Sequence, residues 1–321
     1  MFIITGGAGF IGSNIAHDLI KSSKEIIIFD KVDHKEKKKN LEWLEIKRIY
    51  NPFNVFKFIK ENSHNIDAII HMGAISSTAE KNIKLLNKYN LDYSCRLFDH
   101  CNKYSIKLIY ASSAATYGNG SNGFNDDNSL MNFIKLSPIN LYGLSKHLFD
   151  LKVLEQLTFN KDMPSRPIGL KFFNVYGPRE FHKKFMMSPI PKFYQEIMLK
   201  KQIKLFKSHL KIIKDGHQSR DFVYINDCVK VVNWMIKNEN KKGIFNIGSG
   251  RSESFLKLSN IIFDKLKVKP NIKYVNTPKK ILKGYQYMTK ADLKNLRKIG
   301  YKDKFSPVED GVSEYIDFLF K

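Results

Sequence analysis

Tyr142 and Lys146 stand four residues apart in the stretch "NLYGLSK". On a helix that spacing puts both side chains on one face. An ammonium beside a phenol favours the phenolate and draws the tyrosine pKa down from about 10. A tyrosine tuned in this way can act as a general acid and base. Ser113 lies about thirty residues upstream in "YASSAATYG", where a predicted strand ends. Ligands of open α/β sheets gather at that carboxyl edge, and a serine there can bond a substrate hydroxyl. Together the three residues read as an alcohol-oxidising group. Ser113 positions the hydroxyl, Tyr142 takes its proton, and Lys146 lowers the tyrosine pKa and bonds a nicotinamide ribose.

Such a group needs a hydride acceptor, and the first residues supply its seat. "TGGAGFIG" spaces Gly6, Gly9 and Gly12 three apart, between a predicted strand and a predicted helix. Glycines there allow a tight turn and let the backbone and helix N-terminus approach a pyrophosphate. Asp30 ends the next predicted strand, where an acid bonds a ribose 2′-hydroxyl and favours NAD. Lys31 and Lys35 follow closely and would clamp a 2′-phosphate, which favours NADP. The residues themselves leave NADP and NAD both open.

Elements must bring these segments together. "MFIIT", "EIIIFD", "IDAIIHMGA", "IKLIYASS" and "PIGLKFFNVYG" read as buried strands. "FIGSNIAHDLIKS" reads as a helix with Ile11, Ile15, Leu19 and Ile20 on one face. "IKLLNKYNLDYSCRLFDHCNKY" reads as one long helix, and the helix carrying Tyr142 is expected to start at Ser137-Pro138. Strands this continuously apolar, alternating with helices, predict an α/β fold with a doubly wound parallel sheet. Residues 1–174 are expected to form this dinucleotide-binding Rossmann domain. Residues 175–321 are expected to form a smaller, interleaved substrate-binding α/β region that returns some segments to the sheet.

Composition narrows the function classes. The chain has 321 residues, 43% of them hydrophobic, and a formal net charge of +23. Its lysines are spread along the whole length, and no RNP, zinc-finger or KH motif occurs, so no nucleic-acid partner is expected. The basic field suits an anionic small substrate such as a nucleotide sugar. No run approaches the roughly 20 apolar residues of a membrane span, and no signal-like leader is seen. Three cysteines without metal-like spacing point to free thiols in a reducing cytoplasm. No metal is expected.

"TGGAGFIG", "SSAATYG" and "YGLSK" together resemble the extended short-chain dehydrogenase/reductases, most of which act on nucleotide sugars. "HMGAISSTAE", "NLYGLSKHLFD", "FFNVYGPRE", "RDFVYIND" and "GIFNIGSGRSESF" extend the likeness, and the chain most resembles the ADP-glyceromanno-heptose 6-epimerases of that superfamily. The resemblance implies inversion at C6″ of ADP-D-glycero-D-manno-heptose through a 6″-ketone, with bound NADP, in a cytoplasmic homo-oligomer that supplies heptose for lipopolysaccharide. A second proton-transfer residue is then wanted for the opposite face, and the motif matches it to Lys183 in "REFHKK". It also places Phe10, Ile11, Gly73, Ala74, Ser76, Asn90, Val175 and Lys183 at the cofactor. Asn174, Phe185, Lys192, Phe206, Arg220 and Tyr285 fall at the substrate. Arg220 either grips the diphosphate with its fork or pairs with Asp221 or Asp227. The segment around Lys183 departs from the pattern, with Phe185 where the relatives carry a serine and Met72 where they carry a glutamate. Ala114 and Ala115 follow Ser113 in place of an acid pair, which argues against 4,6-dehydration.

Overall fold

The computed structural model describes residues 1–33, 35–42, 44, 48–160, 163–278 and 286–320. Seven parallel strands form the central sheet: β1 (Phe2–Thr5), β2 (Ile26–Phe29), β3 (Ile49–Tyr50), β4 (Ala68–His71), β5 (Lys107–Ser113), β6 (Ile168–Phe172) and β11 (Gly243–Ile247). Their spatial order is β11-β6-β5-β4-β1-β2-β3. The order reverses direction between β1 and β4, and open α/β sheets place ligands at that switch point.

Successive residues of these strands face opposite ways, and both ways are buried. Ile3, Ile69 and Leu108 enter one core with Val55 and Phe149, while Ile4, Ile70 and Ile109 enter the other with Ile15 and Val232. Fully burying such a side chain contributes about 1.5–3 kcal/mol. The two faces are covered by α1 (Phe10–Lys21) and α6 (Ile225–Lys237) on one side. On the other lie α2 (Val55–Asn62), α3 (Tyr93–Lys103) and α4 (Leu141–Phe159).

Three local departures from the sequence reading bear on the site. The predicted long helix is broken by a π turn at Asn87–Asp92 before α3. Tertiary bonds hold that turn: the Asn90 amide exchanges hydrogen bonds with the Ile75 N–H and carbonyl and donates to Ser145. Helix α4 starts after Asn140, whose side chain accepts from the Gly143 N–H at 2.7 Å, rather than at Ser137-Pro138. The single strand expected over "PIGLKFFNVYG" breaks at Phe173. Its last residues form β7 (Asn174–Tyr176), paired with β10 (Phe222–Tyr224) in a separate two-stranded sheet. Phe173 packs against Ala114, Tyr117 and Ala291 at the break.

The rest of the C-terminal region comprises β8 (Ile203–Phe206) with β13 (Ile272–Val275), β9 (Ser219–Arg220) with β12 (Glu253–Ser254), and helices α5 (Pro189–Lys200), α7 (Phe255–Lys265) and α8 (Val308–Leu319). Among the described residues, no helix is long and apolar enough to cross a membrane.

Candidate active site

A cleft of about 800 Å³ opens along the carboxyl edge of the sheet at the switch point. Its floor is the glycine turn. Gly6 has φ +69°, and a Cβ there would lie 2.5 Å from the Gly73 Cα; a Cβ on Gly12 would collide with the Gly6 carbonyl oxygen. The turn and the β4 loop therefore touch backbone to backbone. A buried chain of side chains fixes the two. His71 accepts at Nδ1 from the Thr5 hydroxyl (2.6 Å) and donates from Nε2 to Ser94 (2.8 Å), which in turn donates to the Asn90 carbonyl. Burial, aided by the Lys146 charge, pushes His71 down to about 3 and keeps it neutral.

Asp30 ends β2 beside the turn and is buried. Its carboxylate accepts from the Ala8 N–H (2.8 Å) and from the Lys37 ammonium (2.9 Å). The sequence offers Lys31 and Lys35 to clamp a 2′-phosphate near Asp30. Lys31 instead reaches Asp33 at 3.1 Å with its side chain 77% exposed, and Lys35 is exposed and does not line the cleft. Of the four lysines in the short helix Lys35–Lys39, Lys37 is the one that lines the cleft, since the helix turn places it against Asp30. Asn40 is a further member of the site: its amide donates to the carbonyls of Ala8 and Arg179, tying the turn to the segment at Arg179.

Ser113, Tyr142 and Lys146 converge at the middle of the cleft. The Ser113 oxygen accepts from the Ala115 N–H at 3.1 Å, and Ser113 and Tyr142 are joined side chain to side chain. Lys146 donates to the Ala111 carbonyl at 2.8 Å, and burial brings it down to about 8 despite the opposing Asp150 charge. The Tyr142 pKa departs from the expectation. Burial pushes the phenol above its ordinary value, the Ser113 bond pulls it back, and Asp150 pushes it further up. Lys146 is committed to Ala111 and does not reverse this.

Lys183 reaches the same cleft from the turn Phe181–Met186. Its ammonium lies 3.6 Å from Glu180 and 5.0 Å from the centre of the Phe10 ring. Burial lowers its proton affinity and Glu180 raises it. His182, beside it, is lowered to about 4, first by burial and then by Lys37 and Lys183. Phe10, Ile11, Gly73, Ala74, Ser76, Asn174, Val175 and Arg220 also line the cleft. The Arg220 guanidinium donates to the Ser219 carbonyl and lies 5.7 Å from the Phe255 ring. Asp221 takes Ser249, Gly250 and Ala291 instead.

Other expected contacts fall elsewhere. Asn90 is fully buried behind the β4 loop and supports it without reaching the cleft. Phe185 is 70% exposed, and Lys192 donates to its carbonyl at 2.6 Å, which ties the turn to α5. Phe206 lies in β8, away from the cleft. Tyr285 lies outside the described residues.

The chain is similar to known proteins along nearly its whole length. Residues 2–248 match the model of the NAD dependent epimerase/dehydratase family. The ADP-L-glycero-D-manno-heptose-6-epimerase of Fusobacterium nucleatum is 42% identical, covering 98% of this chain and 97% of its own. Among solved structures, the ADP-L-glycero-D-manno-heptose-6-epimerase of Helicobacter pylori superposes with a TM-score of 0.81 at 28% identity, covering 99% of this chain and 96% of its own. A UDP-N-acetylglucosamine 4-epimerase of Methanobrevibacter ruminantium, in complex with UDP-N-acetylmuramic acid, gives 0.80 at 26%, covering 99% and 97%.

Proposed function

The chain belongs to the NAD dependent epimerase/dehydratase family, and within it we propose a nucleotide-sugar epimerase that inverts C6″ of ADP-D-glycero-D-manno-heptose. One observation carries the proposal. Two proton-transfer groups from separate segments, Tyr142 and Lys183, line the same cleft as a glycine turn built for a dinucleotide. A reductase needs one such group; inversion through a planar ketone uses one for each face.

The residues present fit a nicotinamide dinucleotide: a Cβ at Gly6 or Gly12 would fill the cradle, and Asp30 stands at the end of β2. When bound, that group would supply the hydride acceptor and donor for C6″. Ser113 would hold the C6″ hydroxyl and Tyr142 take its proton. Lys146 would turn from the Ala111 carbonyl to the ribose. Lys183 would serve the opposite face after the ketone rotates, and Arg220 would hold the diphosphate. The reading includes a homo-oligomer in the cytoplasm. Leu144 and Leu148, exposed one turn apart on α4, support the first, and three unpaired cysteines support the second.

The finer assignment is NADP. Asp30 already has two donors, and Lys37 brings a positive charge to an acid that would otherwise repel a 2′-phosphate. Replacing Lys37 by Ser is expected to weaken NADPH binding by about 10–100-fold, the scale of one charge-assisted hydrogen bond, and NADH binding far less. Fluorescence titration with both cofactors checks this, and equal losses for both would return the assignment to NAD.

The function itself is tested by an NMR time course of the protein with ADP-D-glycero-D-manno-heptose and no added cofactor. Appearance of the L-glycero epimer is the expected result. No conversion, even with NADP or NAD supplied, would overturn the 6-epimerase reading.

A further inference from the structure

We propose that Glu180 is a positioning residue for Lys183, a buried carboxylate clamped by Ser188 that holds the Lys183 ammonium at the cleft wall against Phe10. The proposal rests on the reading of Lys183 as a proton-transfer group.

Glu180 is fully buried, and nothing in the established chemistry requires a carboxylate there. Ser188 holds both of its oxygens. Oε2 accepts from the Ser188 N–H at 2.7 Å, and Oε1 accepts from the Ser188 hydroxyl at 2.5 Å. The Lys183 N–H donates to the Glu180 carbonyl at 3.0 Å, so backbone and side chain both hold the pair in register. Lys183 is thus suspended between a fixed anion and the Phe10 ring of the glycine turn.

Other charges around the pair are mostly positive. Lys192, from α5, faces both Glu180 and Lys183. His182 faces Lys183 from the same turn, with Lys37 and Asp30 beyond it. Tyr315 lies against Glu180 from α8, and burial together with that charge pushes its phenol up. Glu180 is therefore the group that raises the proton affinity of Lys183 against burial. Without the carboxylate, Lys183 would lose its proton at lower pH and swing free of Phe10.

The test is the pH profile of kcat for epimerisation in the full-length protein. Glu180→Gln keeps the shape and leaves an oxygen for Ser188, yet removes the charge. Its kcat is expected to fall about tenfold or more on the alkaline side, with KM changed far less and the alkaline limb moved to lower pH. Glu180→Asp retains the charge and should leave the limb in place while kcat falls. A lower kcat in Glu180→Gln with an unmoved limb, or a wild-type kcat, overturns the proposal. Should Glu180→Gln not fold, Glu180→Asp decides: a moved limb or an unchanged kcat overturns it. Lys183→Met separates the two readings. Normal turnover there sinks the role of Lys183 itself, whereas an inactive Lys183→Met beside a wild-type Glu180→Gln sinks only the role of Glu180.

Discussion

Replacing Tyr142 by Phe is expected to lower kcat by about 10²–10⁴-fold, the usual scale for a lost general acid/base, while the protein still folds. The ring survives the change, so packing at the start of α4 is kept. The lost hydroxyl is joined to Ser113, and Ser113 keeps its bond to the Ala115 N–H, so no buried polar group is orphaned. The stability change should therefore stay near 1 kcal/mol, the net worth of one neutral hydrogen bond. The same NMR assay measures turnover, and thermal unfolding measures the fold. Near wild-type turnover in a folded variant would remove Tyr142 from the mechanism. Both the substrate C6″ hydroxyl and the charge on Lys146 would have to act on the phenol before it can take a proton, because burial and the Asp150 charge push its pKa up.

A second large effect is expected below the cleft. Lys171 on β6 and Asp150 on α4 form an ion pair at 2.8 Å with both side chains fully buried. Asp150 also accepts from Tyr110 and Ser112 of β5, and Lys171 donates to Thr116. The network bolts the helix carrying Tyr142 and Lys146 to two strands of the sheet. Lys171→Met leaves the Asp150 charge uncompensated and should destabilise the protein by about 3–5 kcal/mol. Adding Asp150→Leu to Lys171→Met should recover much of that loss, since two apolar side chains carry no buried charge. Urea unfolding of the two single variants and the double variant forms the cycle that separates the pair from its neighbours. A Lys171→Met variant within about 1 kcal/mol of the wild type would mean that Asp150 finds another proton or cation.

The parts of the site that are local in the chain were legible in the sequence. The glycine turn announces itself because each glycine answers a contact within a few residues or across one neighbouring strand. Ser113 and Tyr142 are legible because strand ends and helix starts carry their own signals. Lys37 was not. Five successive residues, "KEKKK", offer four lysines of equal chemistry, and only the phase of a short helix against Asp30 separates them. Asn90 looked like a cofactor contact and is a loop support, because a π turn has no signature of its own and exists through bonds to Ile75 and Ser145. Lys171 and Asp150 carry no signal of their burial in the sequence. Their burial follows from the pairing of β5 with β6, which brings Ser112 beside Lys171. Glu180 was passed over for the same reason, since its partner Ser188 and its burial under α8 become visible only in three dimensions.

The place of β11 in the sheet has a bearing on how the chain is made. β6 lies between β5 and β11, and β11 is synthesised roughly 75 residues after Phe172. At about 5–20 residues per second, the ribosome leaves one side of β6 unpaired for roughly 4–15 s. During that interval the nascent chain leaves backbone N–H and C=O groups of Ile168–Phe172 on an open parallel edge, the kind of surface that seeds wrong pairing between chains. The cofactor-holding half thus cannot finish itself on emergence. It waits for a strand encoded late in the message, and a chaperone that shields β6 until then would govern the yield of folded enzyme.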